Sequence, residues 1–127
     1  MKIAVASNDF IKVAGHAGQA RKWLVFEVPE GQTPVEVDRL ELAPDQVFHH
    51  HKQGTNPLDG VSVLIAASAG EGFLRRMGKR GIEAVLTGEA DARKAAADYL
   101  AGTLAPPRPP GVMGWICQLR DLFSKHR

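Results

Sequence analysis

The sequence predicts an α/β domain built on a mixed β-sheet, and three observations carry that expectation. Two alternating apolar runs, at 22–28 and 35–42, flank the turn-forming stretch PEGQTP. The run VSVLIAAS at 61–68 is almost continuously apolar, as a strand covered on both faces should be. From residue 61 onward the pattern reads strand, helix, strand, helix, which implies parallel pairing through a right-handed crossover.

Each element follows from its local chemistry. KIAVAS (2–7) is a short apolar run bounded by Asn8-Asp9, and reads as a buried first strand. KWLVFEV (22–28) places Leu24, Phe26 and Val28 on one face. VEVDRLEL (35–42) alternates as well, but its pattern slips between Val37 and Leu40, the mark of a bulge or a strand end. These two runs form an antiparallel hairpin. AGEGFLRRMGKRG (69–81) carries Phe73, Leu74 and Met77 as a helical stripe, Arg75, Arg76, Lys79 and Arg80 as its polar side, and Gly81 as its C′ residue. IEAVLT (82–87) is the next strand. ADARKAAADYLAG (90–102) is a second helix with Ala92, Ala95, Ala96, Tyr99 and Leu100 inward and Gly102 as its stop.

A meander followed by βαβα predicts five strands with helices on the sheet's faces. With the first strand between the hairpin and the parallel pair, the order is 3-2-1-4-5, a ribonuclease-H-like topology. Open α/β sheets bind ligands outside the carboxyl ends of their strands. Those ends are Ser7-Asn8-Asp9, Ser68-Ala69-Gly70 and Thr87-Gly88, and the loop holding His16 follows the first of them. The domain spans 1–103. A proline-rich spacer (104–111) and an amphipathic helix (112–127) follow, the helix with Val112, Trp115, Ile116, Leu119, Leu122 and Phe123 on one stripe. That helix packs on its own domain, forms a homodimer through residues 112–127, or meets another protein.

Composition narrows the function. The net charge of +2 on 127 residues lacks the dense basic blocks of a nucleic-acid binder. No apolar run is long enough to span a bilayer, and MKIAVAS is too short and too soon interrupted for a signal peptide. The single Cys117 cannot form an internal disulfide. A cytoplasmic protein without nucleic-acid or membrane partners is the expectation.

Several residues carry chemistry. His16, between two nearby glycines in GHAGQA, offers an imidazole that ligates iron or molybdenum well, with Lys12, Arg21 and Lys22 near enough to offset a guest's negative charge. The alternative is a histidine that caps or hydrogen-bonds a turn. His49, His50 and His51 in FHHHKQ invite a metal reading, yet adjacent side chains point apart, so a loop would deliver one or two toward His16 rather than all three to one ion. Cys117 beside an apolar stripe reads as packing. Ser68–Gly72 is a strand-to-helix turn with free N–H groups for an anion, and matches no nucleotide-binding fingerprint. Asp9 sits near where ribonuclease-H-like nucleases keep a catalytic carboxylate, but nothing in the spacing of Glu27, Asp38, Glu71 and Asp91 gathers them around two metals.

MKIAVAS, GHAGQARKWLVFEV, VSVLIAASAGEG and GIEAVLTGEADARKAAADYLAGTL together resemble the dinitrogenase iron–molybdenum cofactor biosynthesis family, NifX-type carrier domains, over roughly the first hundred residues. Members show His-Phe-Gly-x-Ala before an aromatic-rich strand; the matching positions are His16, Ala17, Gly18, Gln19 and Ala20, with alanine in place of phenylalanine. The resemblance implies a ribonuclease-H-like fold and a non-enzymatic role, binding or ferrying an iron–sulfur-type cluster such as the iron–molybdenum cofactor or a precursor. Cofactor-assembly or acceptor proteins would be its partners. His16 would be the principal ligand, in a cleft at the ends of strands 1 and 4 lined by Asn8, Gly18, Arg21 and Gly70. The alternative is an adaptor that keeps the fold without a cluster and acts through its last helix.

Overall fold

The computed structural model describes residues 1–29, 33–49 and 55–107. Its elements are β1 (Lys2–Ser7), β2 (Lys22–Glu27), β3 (Val35–Glu41), β4 (Val63–Ala66), α1 (Glu71–Lys79), β5 (Glu83–Leu86) and α2 (Ala92–Ala101), with 3-10 turns at Ala17–Gln19 and Pro44–Gln46. The strands form one sheet in the order β3-β2-β1-β4-β5. The pairs β1–β2 and β2–β3 are antiparallel, while β1–β4 and β4–β5 are parallel. The expected strand order and pairing directions are therefore those observed.

Alternation along the strands sorts the core into two layers. Ala4 and Ala6, Trp23 and Val25, and Leu64 and Ala66 face one cluster, which α1 enters through Phe73 and Met77 and the segment between β3 and β4 enters through Leu42, Val47, Phe48, Leu58 and Val61. Ile3 and Val5, Leu24 and Phe26, and Val63 and Ile65 face the other, which α2 covers with Ala92, Ala95 and Ala96. The period of two places successive side chains on opposite faces, so one apolar sequence serves both layers.

β3 carries the irregularity its sequence suggested. Val25 pairs with Asp38 while the next residue, Phe26, pairs with Glu36, leaving Val37 as the extra residue of a bulge. Both helices begin two residues later than their sequence patterns, at Glu71 and Ala92. At the end of α1, Gly81 takes φ +78°, Ile82 N–H reaches Met77 O at 2.9 Å and Gly81 N–H reaches Gly78 O at 3.1 Å. These two bonds form a Schellman stop, for which glycine avoids the cost a Cβ would impose in the left-handed region. α2 starts on Asp91, whose carboxylate accepts from Lys94 N–H at 2.9 Å.

One expectation needs correction. Leu100 is exposed rather than inward; cover at that end of α2 comes from Tyr99 and from Leu104, beyond the helix. The start of the proline-rich stretch packs on the domain. Thr87 Oγ donates to Ala105 O at 2.7 Å, and Gly88 N–H to Pro106 O at 2.9 Å, which lays 104–106 against the end of β5. The predicted helix at 112–127, with Cys117, lies outside the described residues.

Glu36 ties the bulged strand to α2. It accepts from Arg39 Nε at 2.5 Å and also pairs with Arg93. Hydrogen bonding and charge from Arg39, then Arg93, hold its carboxyl below its ordinary range. A depressed folded-state pKa means the stabilisation is complete above the unfolded value and lost as pH falls through the folded one. Glu36→Gln is expected to lower the melting temperature at pH 7 and to lose that effect progressively below about pH 4. Thermal melts of both proteins across pH 3–7 check this; an equal deficit throughout would show that Glu36 acts by packing.

Candidate functional site

The edge of the sheet where β1 ends is also where β2 begins and β3 ends, because β2 runs antiparallel to both. Asn8, Lys22 and Glu41 are thereby brought to one rim, and the loop 8–21 folds over it.

That loop is built from its own polar groups. Asp9 accepts from Lys12 N–H at 2.8 Å, Ile11 N–H at 2.9 Å and the Ser7 hydroxyl at 3.2 Å. Those backbone donors, Lys12 first, hold its carboxyl below the usual carboxylate range. A carboxylate so committed is a loop brace. The other acids singled out with it are dispersed: Glu27 pairs with the chain's amino group at 3.1 Å, and Asp91 caps α2. No group of three His, Cys, Asp or Glu is placed to hold a metal ion among the described residues.

Next, the chain passes between the ends of β1 and β4. Ala14 N–H donates to Ala6 O at 2.8 Å, and Ala67 N–H donates to Ala14 O at 2.9 Å. The gap that sequence reasoning reserved for a ligand, at the ends of strands 1 and 4, is therefore occupied by the chain itself. Gly15 follows against Ser68; a Cβ on Gly15 would lie 2.7 Å from Ser68 Oγ. Ser68 Oγ accepts from His16 N–H at 2.8 Å, and Ser68 O from Ala17 N–H at 3.0 Å. One serine thus clamps two successive amides.

His16 sits at φ 52°, ψ 55°, in the left-handed region, as the residue preceding the 3-10 turn. Histidine is among the side chains that tolerate this region, at some cost in strain. Its imidazole makes no capping bond to the turn. The ring is exposed, and no side-chain hydrogen bond or ion pair engages it among the described residues. The turn-capping alternative is thereby excluded.

Beneath the turn lie aromatic rings. Trp23 and Phe48 meet edge-to-face at 6.4 Å, and Phe48 and Phe73 at 5.6 Å. Ala17 is fully buried in the same cluster, so aromatic bulk under the loop comes from these three residues rather than from position 17. Gly18 backs onto Phe73, where a Cβ would be at an ordinary 3.7 Å.

Beside His16 opens a cleft of about 400 Å³ whose walls include Asn8, Gln19, Arg21, Lys22 and Glu41. Arg21 pairs with Glu41 at 3.4 Å, both half exposed, and its Nε donates to Leu42 O at 3.2 Å. Exposed pairs of this kind contribute at most about 1 kcal/mol, so Arg21 can turn toward a guest cheaply. Lys22 Nζ donates to Asn8 O at 3.3 Å and lies 5.6 Å from the Phe10 ring. The cleft has an excess of positive charge and one open imidazole, which suits an anionic guest with a vacant metal coordination position.

Of the residues read from sequence, His16, Asn8 and Arg21 share this cleft, while Gly18 and Gly70 are not among its walls. Gly70 caps α1 instead, with φ −83°. Lys22, expected with Lys12 and Arg21 to offset a guest's charge, also lines the cleft, while Lys12 is not among its walls; Gln19 joins from the 3-10 turn, and Glu41 because of the hairpin's direction. His49 lines a second hollow with Gln19, Arg21, Pro44 and Val47, and its N–H donates to Gly18 O at 2.6 Å. Gln19 and Arg21 are the shared wall between the two hollows. His50 and His51 lie outside the described residues.

Comparison with known proteins agrees with this architecture. NifX of Rhodobacter capsulatus is 27% identical over 117 residues, covering 87% of this chain and 74% of that protein. A Methanocaldococcus jannaschii crystal structure, provisionally assigned as a dinitrogenase, superposes with a TM-score of 0.59 at 14% identity, covering 87% of this chain and 97% of the other. A Thermotoga NMR structure, provisionally assigned as a NifB protein, gives 0.56 at 17% identity, covering 83% and 91%. At such identities the structural likeness speaks to the fold. The sequence itself matches the dinitrogenase iron–molybdenum cofactor family over residues 1–102, most of its length, and the chain belongs to that family.

Proposed function

We propose that this protein binds and ferries an iron–sulfur-type metallocluster, the iron–molybdenum cofactor or a precursor, during cofactor assembly, with His16 as its principal ligand and without catalysing a reaction. The single observation that carries the proposal is the exposed, uncommitted imidazole of His16 on the wall of a basic cleft. Family membership and the relative named NifX support the cofactor-assembly setting.

The donor set also suits carriage. One imidazole supplies one metal bond, while Arg21 and Lys22 supply field rather than covalency. A guest held this way can be released without dismantling the fold. Lining by Asn8 and Gln19 offers amides to the sulfur and oxygen atoms of such a guest. The cluster is cargo, received from and passed to cofactor-assembly or acceptor proteins.

Anaerobic reconstitution of the purified chain with iron, sulfide and, separately, molybdate tests this. The expected result is a brown protein whose visible absorption survives desalting and passes to an apo-acceptor. A colourless protein after desalting under every loading condition would overturn it.

A further inference from the structure

The cations of the two helices are treated differently by the fold. On α2, Arg93 pairs with Glu36, and Lys94 pairs with Asp98 at 2.5 Å and Glu89 at 3.4 Å. On α1, Arg75, Arg76 and Lys79 have no ion pair among the described residues, and Arg80, which closes the helix, pairs with Asp59 at 2.7 Å. Arg75 and Lys79 are exposed, four residues apart on one face; Arg76 and Arg80 repeat that spacing one residue on. Like charges at this spacing cost a few tenths of a kcal/mol per pair. The helix dipole favours a cation in the last turn, which accounts for Lys79 but not for Arg75 in the middle of a nine-residue helix. The only acid on α1 is Glu71, at its start.

Arg76 adds an independent observation. It is half-buried, and its Nε is enclosed without any hydrogen-bond acceptor. A guanidinium with its stem already packed has lost much of its rotamer freedom before any partner arrives, and it keeps unsatisfied donors. Its place in the last turn suits the helix dipole, and an incoming carboxylate would supply the guanidinium with the acceptor that the described residues do not.

We infer that the outward face of α1, formed by Arg75, Arg76 and Lys79, is a docking surface for an acidic protein surface. A protein fits better than a nucleic acid. Three cations on 13 Å or so of helix match a cluster of Asp and Glu side chains, whereas phosphate-backbone binding draws on roughly six to ten contacts and the chain's net charge is only +2. α1 starts three residues beyond Ser68, the residue that clamps the His16 loop. A protein seated on α1 is therefore held within one or two helical turns of that clamp. The docking stands by itself; only the identification of the docked protein as donor or acceptor of cargo rests on the proposed function.

The test uses full-length, cluster-free protein labelled with nitrogen-15. It is titrated with a 20-residue Glu/Asp peptide and, in parallel, a 20-nucleotide single-stranded DNA, at 50 and 300 mM salt. Expected are amide shifts concentrated on residues 74–81 with the peptide, at least tenfold weaker binding for Arg75→Gln/Lys79→Gln, and unchanged binding for Arg93→Gln/Lys94→Gln. Both altered positions on α1 are exposed, so folding is preserved; Arg76→Gln is added only if its melting temperature matches the parent. Peptide shifts centred on the His16 cleft or spread over α2, tighter binding of DNA than of peptide at the same residues, or a dimer in sedimentation that Arg75→Gln/Lys79→Gln dissolves would each overturn the inference. Since no cluster is present, none of these outcomes bears on cluster carriage.

Discussion

Replacing His16 by alanine is expected to abolish retention of a reconstituted cluster, with at least a tenfold fall in bound metal per chain, while the melting temperature stays within a few degrees of the parent. The asymmetry follows from the structure. The imidazole buries nothing, makes no bond to the turn it precedes, and stands exposed at the cleft. What position 16 gives to the fold is its N–H, donated to Ser68 Oγ at 2.8 Å, and its left-handed backbone. Alanine keeps the first and bears somewhat more strain in the second, since histidine is among the side chains enriched in that region. His16→Gly separates the two roles further. Glycine occupies φ 52° freely, so it should be as stable as the parent or stabler by up to about 1 kcal/mol, and equally devoid of cluster. Metal analysis beside thermal melts of the three proteins decides the matter. If either variant holds the cluster as the parent does, His16 is not the ligand.

The Gly15–Ser68 contact predicts a non-additive pair. Gly15→Ala puts a Cβ at 2.7 Å from Ser68 Oγ. The hydroxyl can rotate away, but only by abandoning the His16 amide, and the loop must otherwise shift. A destabilisation of about 1–3 kcal/mol is expected, with a displaced His16 and weakened cluster binding. Ser68→Ala alone loses one hydrogen bond, about 1 kcal/mol. In the double variant the clash is gone, since Ser68 Cβ lies at an ordinary 3.8 Å. Gly15→Ala/Ser68→Ala should therefore be no less stable than Ser68→Ala, a coupling of about 1–3 kcal/mol readable in a denaturant double-mutant cycle. Simple additivity would mean that Gly15 is needed for something other than this approach.

These two residues also show where sequence reading stops. GHAGQA marks the loop, and the imidazole it carries is the one the cleft displays. Nothing in the string says that residue 68 would meet residue 15. Likewise Gly70 reads as a site glycine from its place after an apolar strand, yet it is the residue that starts α1 and is not among the cleft's walls. Glu41 reaches the cleft only because β3 returns antiparallel beside β2. The missing aromatic at Ala17 is made good by Trp23, Phe48 and Phe73, which arrive from three different elements.

By itself the sequence determined the element types, the strand order and the identity of the exposed histidine. Those properties rest on local periodicity, turn chemistry and the handedness of a crossover, all of which act over short stretches of chain. Tertiary structure alone decided which side of β1 the cleft opens on, that Glu41 stands in it and Lys12 does not, and which cations of α1 have no ion pair among the described residues. Each of these depends on contacts between residues twenty to sixty positions apart, and no local pattern encodes the register that brings them together.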